Sequence, residues 1–382
     1  MSILYYLIPI GRKQRLFLES LKGFEDYKKI KSLLQKRKIR LNQETINLTI
    51  FRNLNLISIE TNNNYLKSYT EKTNPKIKEF ILNKYFIEFS QNAFNIISQN
   101  LASEILDLEF IKKSLTLQLF SKERIHILLL GDPGTGKTQL LHSISELAPI
   151  SSFGLGSGIS GVGLTATIKG KEVYPGLLPR ANNGIAAIDE LNLLKEEDRG
   201  SLLNAMEKGF VTYDKGAYHK KFDANVRLVA AANPKKSQFK GNSLRQLKDE
   251  IPFDPALLTR FHLVFLIRKP NLKQFIEITK KIVSSENKNL SKEDIDFIKG
   301  YINFTYSINN IEFPKDFEQR IINFITEVKK NENSFLIDIS PRIVIGLIRL
   351  CQASARSEYR NRVQEKDLQR AFNILTESLK II

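Results

Sequence analysis

The chain has 382 residues, with 58 Lys and Arg against 41 Asp and Glu, a formal net charge of +17 and a pI near 9.6. At 42% hydrophobic and 26% charged residues it has a globular composition, which excludes wholesale disorder. The single cysteine, Cys351, excludes a disulfide framework and a cysteine-based zinc site, and it fits a reducing compartment. The length suits two or three domains. The apolar opening Met1 to Ile10 lacks a basic lead-in and a cleavage site, and no run approaches the length of a membrane span. The expectation is a soluble intracellular protein, with no membrane partner, whose basic excess suits a polyanion.

Residues 1–80 read as a small basic α+β module, holding 16 Lys and Arg against 7 Asp and Glu. A helix is predicted over 13–37 and a strand over 46–51. The stretch Arg12 to Arg40, which includes Lys36, Arg37 and Lys38, is either a solvated helix face or a contact surface for phosphates. Residues 61–64 and 71–75 are loop-like, the second a candidate linker. From 80 to 120 the apolar spacing is helical. Four apolar runs follow, at 125–130, 184–188, 226–232 and 263–267, each suited to a buried parallel strand. Alternation with helical segments predicts an α/β parallel sheet covered on both faces. Beyond Pro270 the pattern is helix after helix.

The strongest motif is Gly131-Asp132-Pro133-Gly134-Thr135-Gly136-Lys137-Thr138, followed by Gln139. It lies directly after a predicted strand and before an apolar helix expected from Gln139 to Leu147. In that setting the glycines let the backbone wrap around phosphates, and the helix start offers free N–H donors. Lys137 is expected on the β- and γ-phosphates and Thr138 on Mg²⁺. Some fifty residues later the run Ile185 to Ile188 ends in Asp189 and Glu190, expected respectively to hold Mg²⁺ through water and to activate the attacking water. These motifs divide the chain into the module 1–80, a nucleotide-binding domain 81–269 and a helical lid 270–382.

Asn233, at the tip of the 226–232 strand, is a candidate for holding the lytic water. Arg260, just beyond Asp254-Pro255, is either a surface arginine or an arginine finger for a neighbouring subunit. Arg342 opens a lid helix after Pro341 and is a candidate second phosphate sensor. His126, His142, His219 and His262 have no metal-like spacing. Cys351 lies on an apolar helix face as a core residue, with no adjacent His to activate it.

Together these elements resemble the AAA+ ATPases, and their wording resembles the MCM (minichromosome maintenance) replicative helicases in particular. The resemblance rests on Gly131 to Thr135 with Gln139-Leu140-Leu141, Ser160 to Ala166, Asn182 to Leu191, Leu203-Asn204-Ala205-Met206-Glu207, Ala230 to Pro234, Leu257 to Phe261, Arg349 to Arg356 and Asp367 to Phe372. It covers roughly residues 86–380. It implies an AAA+ P-loop core with a helical lid, ATP and Mg²⁺ as cofactors, and a ring, hexameric as in this family, that hydrolyses ATP between subunits.

It also implies two DNA-contacting insertions, at about Gly163–Leu178 with Lys169 and Lys171, and at about Gly209–Asn225 with Lys215. The second segment alternates around a turn glycine and carries Lys220 and Lys221 on its return arm, which suits nucleic acid. On this resemblance the expected activity is that of an ATP-dependent DNA helicase or translocase, acting on single-stranded or forked DNA, alone or with other MCM-like subunits. Alternatives are an accessory or loader subunit of such a ring and a chelatase-like protein-remodelling ATPase. The expected location is cytoplasmic and nucleoid-associated, or nuclear in a eukaryote. Departures from the family pattern are the short leading segment without a zinc module, the lack of a trailing winged helix, Gly136 and Thr138 in the P-loop, and Asn192-Leu193-Leu194 after Glu190.

Overall fold

The computed structural model describes residues 85–380, apart from 106, 170–171, 216–217, 237, 242 and 285–289. The helix expected over 13–37, the strand expected over 46–51, the basic run Arg12 to Arg40 and Lys171 lie outside the described residues. The chain divides into two compact units, Met1–Phe89 with Ser291–Asp294, and Ser90–Leu290 with Ile295–Ile382. In the first, Ser291 and Asp294 cap one another: the Asp294 carboxylate accepts from the Ser291 hydroxyl at 2.8 Å, and the Asp294 N–H donates to that hydroxyl. The second unit carries the sheet and the candidate site.

In chain order the elements are α1 (Ala93–Asn100), α2 (Glu109–Phe120), β1 (Ile127–Gly131), α3 (Lys137–Leu147), β2 (Ser151–Leu155), α4 (Gly161–Thr165), β3 (Ala166–Lys169), β4 (Glu172–Pro175), α5 (Leu177–Arg180) and β5 (Ile185–Asp189). Then come α6 (Arg199–Lys208), β6 (Phe210–Lys215), β7 (Tyr218–Asp223), β8 (Arg227–Ala232), α7 (Leu244–Glu250), α8 (Pro255–Leu258) and β9 (Leu263–Ile267). The helical part comprises α9 (Leu272–Ser284), α10 (Lys292–Thr305), α11 (Glu318–Lys330), α12 (Pro341–Ser357) and α13 (Glu365–Leu379).

Five strands form one parallel sheet in the order β2-β5-β8-β1-β9. Every residue of β1, β5, β8 and β9 is buried, which explains why these four read as unbroken apolar runs. Burying each Leu or Ile of β1 contributes about 1.5–3 kcal/mol. The sheet has one strand more than the apolar runs predict. β2, Ser-Ser-Phe-Gly-Leu, pairs on one side only, with β5, and exposes Ser151 and Leu155. An edge strand has no need of apolar residues on both faces. The helical spacing between 80 and 120 is also broken, by a connection between α1 and α2.

The lid is tied to the sheet domain by arginines that satisfy the free carbonyls at the end of α2. From the lid, Arg356 donates to Phe120 O at 3.0 Å; from β8, Arg227 donates to Leu119 O and Ser121 O and also to the hydroxyl of Tyr306 in the lid. Arg349 donates to Arg124 O at 2.6 Å. Cys351 is fully buried on α12, and burial pushes its thiol up, so it is an inert core residue.

Two buried histidines pin the amino ends of the strands. The His262 ring accepts from the His126 N–H at 3.0 Å, and the His126 ring accepts from the Leu228 N–H at 3.1 Å. The remaining His126 nitrogen, Nε2, therefore carries its proton toward Met206 O at 3.1 Å, fixing the end of α6. Among the described residues no helix is long and apolar enough to cross a membrane.

Candidate nucleotide site

β1 ends at Gly131 and α3 begins at Lys137, so the intervening loop lies at the carboxyl end of the sheet. Gly134 and Gly136 both adopt positive φ, 78° and 82°, which L side chains rarely accept. The helix starts two residues before the expected Gln139, because Lys137 and Thr138 form its first turn. Lys137 Nζ is folded into the loop, donating to Gly131 O at 2.9 Å, Asp132 O at 2.6 Å and Thr135 Oγ1 at 3.3 Å. Burial pushes this amine down to about 8, against the opposing charges of Asp189 and Asp132. Pro133, Gly134, Thr138 and Gln139 are exposed.

Asp132 takes part through its backbone carbonyl. Its buried carboxylate faces the fold, accepting from Phe239 N–H at 2.8 Å and Lys269 N–H at 3.0 Å. It thereby anchors the segment that follows β8 and the end of β9 to the P-loop.

Thr138 Oγ1 donates to Asp189 Oδ2 at 2.6 Å, bringing the ends of β1 and β5 together. Asp189 Oδ1 accepts from the Glu190 N–H at 2.8 Å. Glu190 itself sits in the left-handed region, with φ 51° and ψ 41°, and its carboxylate accepts from Ser157 Oγ at 3.1 Å. Such a conformation in a non-glycine residue costs on the order of 1–3 kcal/mol and needs support from its surroundings. Gly156 supplies part of it: its N–H donates to Asp189 O at 2.7 Å, and a Cβ there would stand 2.2 Å from Glu190 O. Asn192 supplies another link, its side-chain oxygen accepting from the Asn233 N–H at 3.0 Å. Sequence reasoning did not single out Gly156 or Ser157 for a role, and read Asn192 only as a departure. Their parts depend on partners remote in the chain.

A cleft of about 780 Å³ opens beside the P-loop. Thr138, Gln139 and His142 of α3 line it on one side, and Asn100 at the end of α1 with Ala102 and Glu104 of the α1–α2 connection on the other. That connection is held by Ser143, whose hydroxyl accepts from the Ala102 N–H at 2.8 Å, and by Lys112, which donates to Ala102 O at 2.7 Å.

Arg260 and Arg342 stand elsewhere. Asp254 caps α8, accepting from the Leu257 N–H at 2.7 Å, and the chain then turns through Arg260 into β9. Because His262 N–H donates to His126 O, Arg260 lies at the amino end of the sheet, opposite to the P-loop. Pro341 opens α12 and sets Arg342 beside it, donating to Thr259 O at 3.2 Å. Both arginines turn to Glu207 at the end of α6: Arg260 at 3.1 Å and Arg342 at 3.7 Å. Burial pulls Arg342 below its ordinary value; the Glu207 charge opposes this and the Arg260 charge adds to it.

The two expected insertions are both antiparallel hairpins, β3–β4 and β6–β7. Lys169 ends β3 opposite Glu172, and Lys215 ends β6 opposite Tyr218, at the tip of its ribbon. Lys220 and Lys221 are exposed, and successive strand residues face opposite sides. Accordingly Lys220 lies over the Phe222 ring at 5.2 Å and Lys221 over Phe210 at 4.0 Å. The return arm therefore presents Lys220 and Lys221 on opposite faces of the ribbon rather than as a pair.

A five-stranded parallel sheet in this order, with a P-loop after β1, paired carboxylates ending β5 and a helical lid, defines the AAA+ class of P-loop proteins. Residues 83–286 match the MCM P-loop domain and residues 296–379 the MCM AAA-lid domain. The chain belongs to the MCM family.

It is 32% identical over 287 residues to the minichromosome maintenance protein MCM of Saccharolobus solfataricus, covering 69% of this chain and 42% of that protein. It is 29% identical over 314 residues to the DNA replication licensing factor MCM4 of Drosophila melanogaster, covering 75% of this chain and 36% of that protein. To an uncharacterized MCM-type protein of Methanocaldococcus jannaschii it is 28% identical over 389 residues, covering 86% and 51%. The chain thus spans about half or less of the length of these relatives.

Proposed function

We propose that the chain is the motor part of an MCM-type DNA helicase or translocase, in which copies assemble into a ring and hydrolyse ATP at the contacts between them. The observation that carries this reading is the separation of two clusters within one chain. Lys137, Thr138, Asp189 and Glu190 gather at the carboxyl ends of the strands, while Arg260 and Arg342 gather at the amino end. A five-residue strand puts the two ends on the order of 15 Å apart. A guanidinium at the amino end therefore serves a phosphate held by another copy.

In this reading the P-loop N–H groups and Lys137 hold the triphosphate, and the cleft beside Gln139 takes the nucleoside. Glu190 takes the proton of the attacking water, Asn233 orients that water, and the neighbour's Arg260 and Arg342 neutralise charge on the transferred phosphoryl group. Thr138 and Asp189 are the residues that would hold Mg²⁺. Two converging hard oxygens suit an ion bound mainly by phosphates and water, and the ion would neutralise phosphate charge. Among the described residues no cluster of three or more His, Cys, Asp or Glu offers an independent metal site.

Nucleic acid fits the two hairpins, where Lys169, Lys171, Lys215, Lys220 and Lys221 offer phosphate contacts and the aromatic neighbours offer stacking. The test is ATP hydrolysis with and without single-stranded DNA, followed by strand displacement. DNA stimulation that falls in Lys215→Ala supports the reading. Hydrolysis indifferent to DNA, with no DNA binding, overturns it.

A further inference from the structure

We propose that Glu207 is the positioning residue of the arginine pair: its carboxylate holds Arg260 and Arg342 together, set to enter a neighbouring copy's triphosphate site as one unit. This rests on the reading above, in which the two arginines act on a phosphate held by another copy.

The geometry divides the carboxylate between them. Oε2 stands 3.1 Å from Arg260 Nη2, and Oε1 stands 3.7 Å from Arg342 Nη2. Arg342 also donates to the carbonyl of Thr259, the residue next to Arg260, so both guanidiniums approach one point. Two cations this close repel. The carboxylate between them halves the net positive charge of the cluster and fixes a direction for each.

Glu207 itself stands on a held support. Met206, its neighbour, accepts from buried His126, whose N–H donates to the His262 ring just after Arg260. The end of α6 is thereby locked to the segment that bears the arginine.

Two features argue against a purely structural purpose. Glu207 lies in the last turn of α6, where the helix dipole disfavours a negative charge. Its side chain is also 47% exposed, and ion pairs that exposed contribute little to stability. A residue placed against local preference, with little return in stability, points to the arginines it faces.

The experiment compares parent, Glu207→Gln, Arg342→Ala, the double variant, and Arg260→Ala in steady-state ATP hydrolysis. Glu207→Gln is expected to lower kcat about two- to fivefold, the size of an exposed pair's coupling, with KM for ATP and the melting temperature unchanged. In the Arg342→Ala background the same substitution is expected to cost less, because only one cation remains to be held. A parent-like kcat, or a loss of equal size in both backgrounds, overturns the proposal.

The two readings separate cleanly. If Arg260→Ala abolishes hydrolysis while Glu207→Gln matches the parent, only the role of Glu207 fails. Arg260→Ala with parental hydrolysis, or a parent chain that hydrolyses no ATP, overturns the underlying reading and the proposal with it.

Discussion

Thr138, in the first turn of the P-loop helix, donates its hydroxyl proton to Asp189 at the end of β5, across 2.6 Å. The contact joins two motifs 51 residues apart, and in the proposed reading these two oxygens would hold Mg²⁺. Asp189→Asn keeps the shape and one of the two accepting oxygens while removing the charge. We expect it to lower Mg²⁺-dependent hydrolysis by about 100-fold or more. Binding of a fluorescent ATP analogue in excess EDTA, where the metal plays no part, is expected to match the parent.

Gly156 sits under the Glu190 turn, where a Cβ would stand 2.2 Å from the Glu190 carbonyl oxygen. Gly156→Ala must push that strained turn aside, at a cost of about 1–3 kcal/mol. A lowered melting temperature together with a lowered kcat is the expected result, since the same shift displaces the Glu190 carboxylate. Thermal melting and steady-state kinetics on one preparation check both.

Burial pushes His126 down to about 3 and His262 well below its ordinary value. Both rings are neutral in the folded protein, whereas in the unfolded chain they bind protons below about 6.5. Between 6.5 and about 3 the unfolded state therefore holds more protons, and stability falls as pH falls. The expected slope for His126 alone is about 1.4 kcal/mol per pH unit. Denaturant melts at pH 7, 6 and 5 measure it, and His126→Gln is expected to flatten the profile.

Lys137, pushed down to about 8 by burial, gives nucleotide affinity its own pH dependence. A bound triphosphate favours the protonated amine and so raises its pKa. Affinity is therefore expected to be constant below pH 8 and to weaken as pH rises through 8. Equilibrium binding of a nonhydrolysable ATP analogue at pH 7, 8 and 9 reads this directly.

Much of the fold is legible in the sequence, because four strands buried on both faces leave apolar runs and the P-loop stands between one of them and its helix. β2 leaves no such trace, since an edge strand exposes Ser151 and Leu155. The motif residues are legible in the same way, through spacing along the chain. Their supports are not. Asn192 reaches Asn233 41 residues on, Ser157 reaches Glu190 33 residues on, and Glu207 reaches Arg260 53 residues on. Each is an ordinary polar residue until the fold supplies its partner. The Lys220–Lys221 pair shows the opposite case: adjacent in sequence, the two lysines are parted by the strand's alternation.

The central claim is that one chain's P-loop works with another chain's arginine, and a mixing experiment tests it most directly. Lys137→Ala lacks a working P-loop and keeps Arg260, whereas Arg260→Ala lacks the arginine and keeps the P-loop. Each alone is expected to be inactive. Mixed in equal amounts, about a quarter of head-to-tail contacts regain both residues, and hydrolysis is expected to rise toward that fraction of the parent's. A mixture that assembles, as judged by light scattering, yet hydrolyses no more ATP than its separate components contradicts the account.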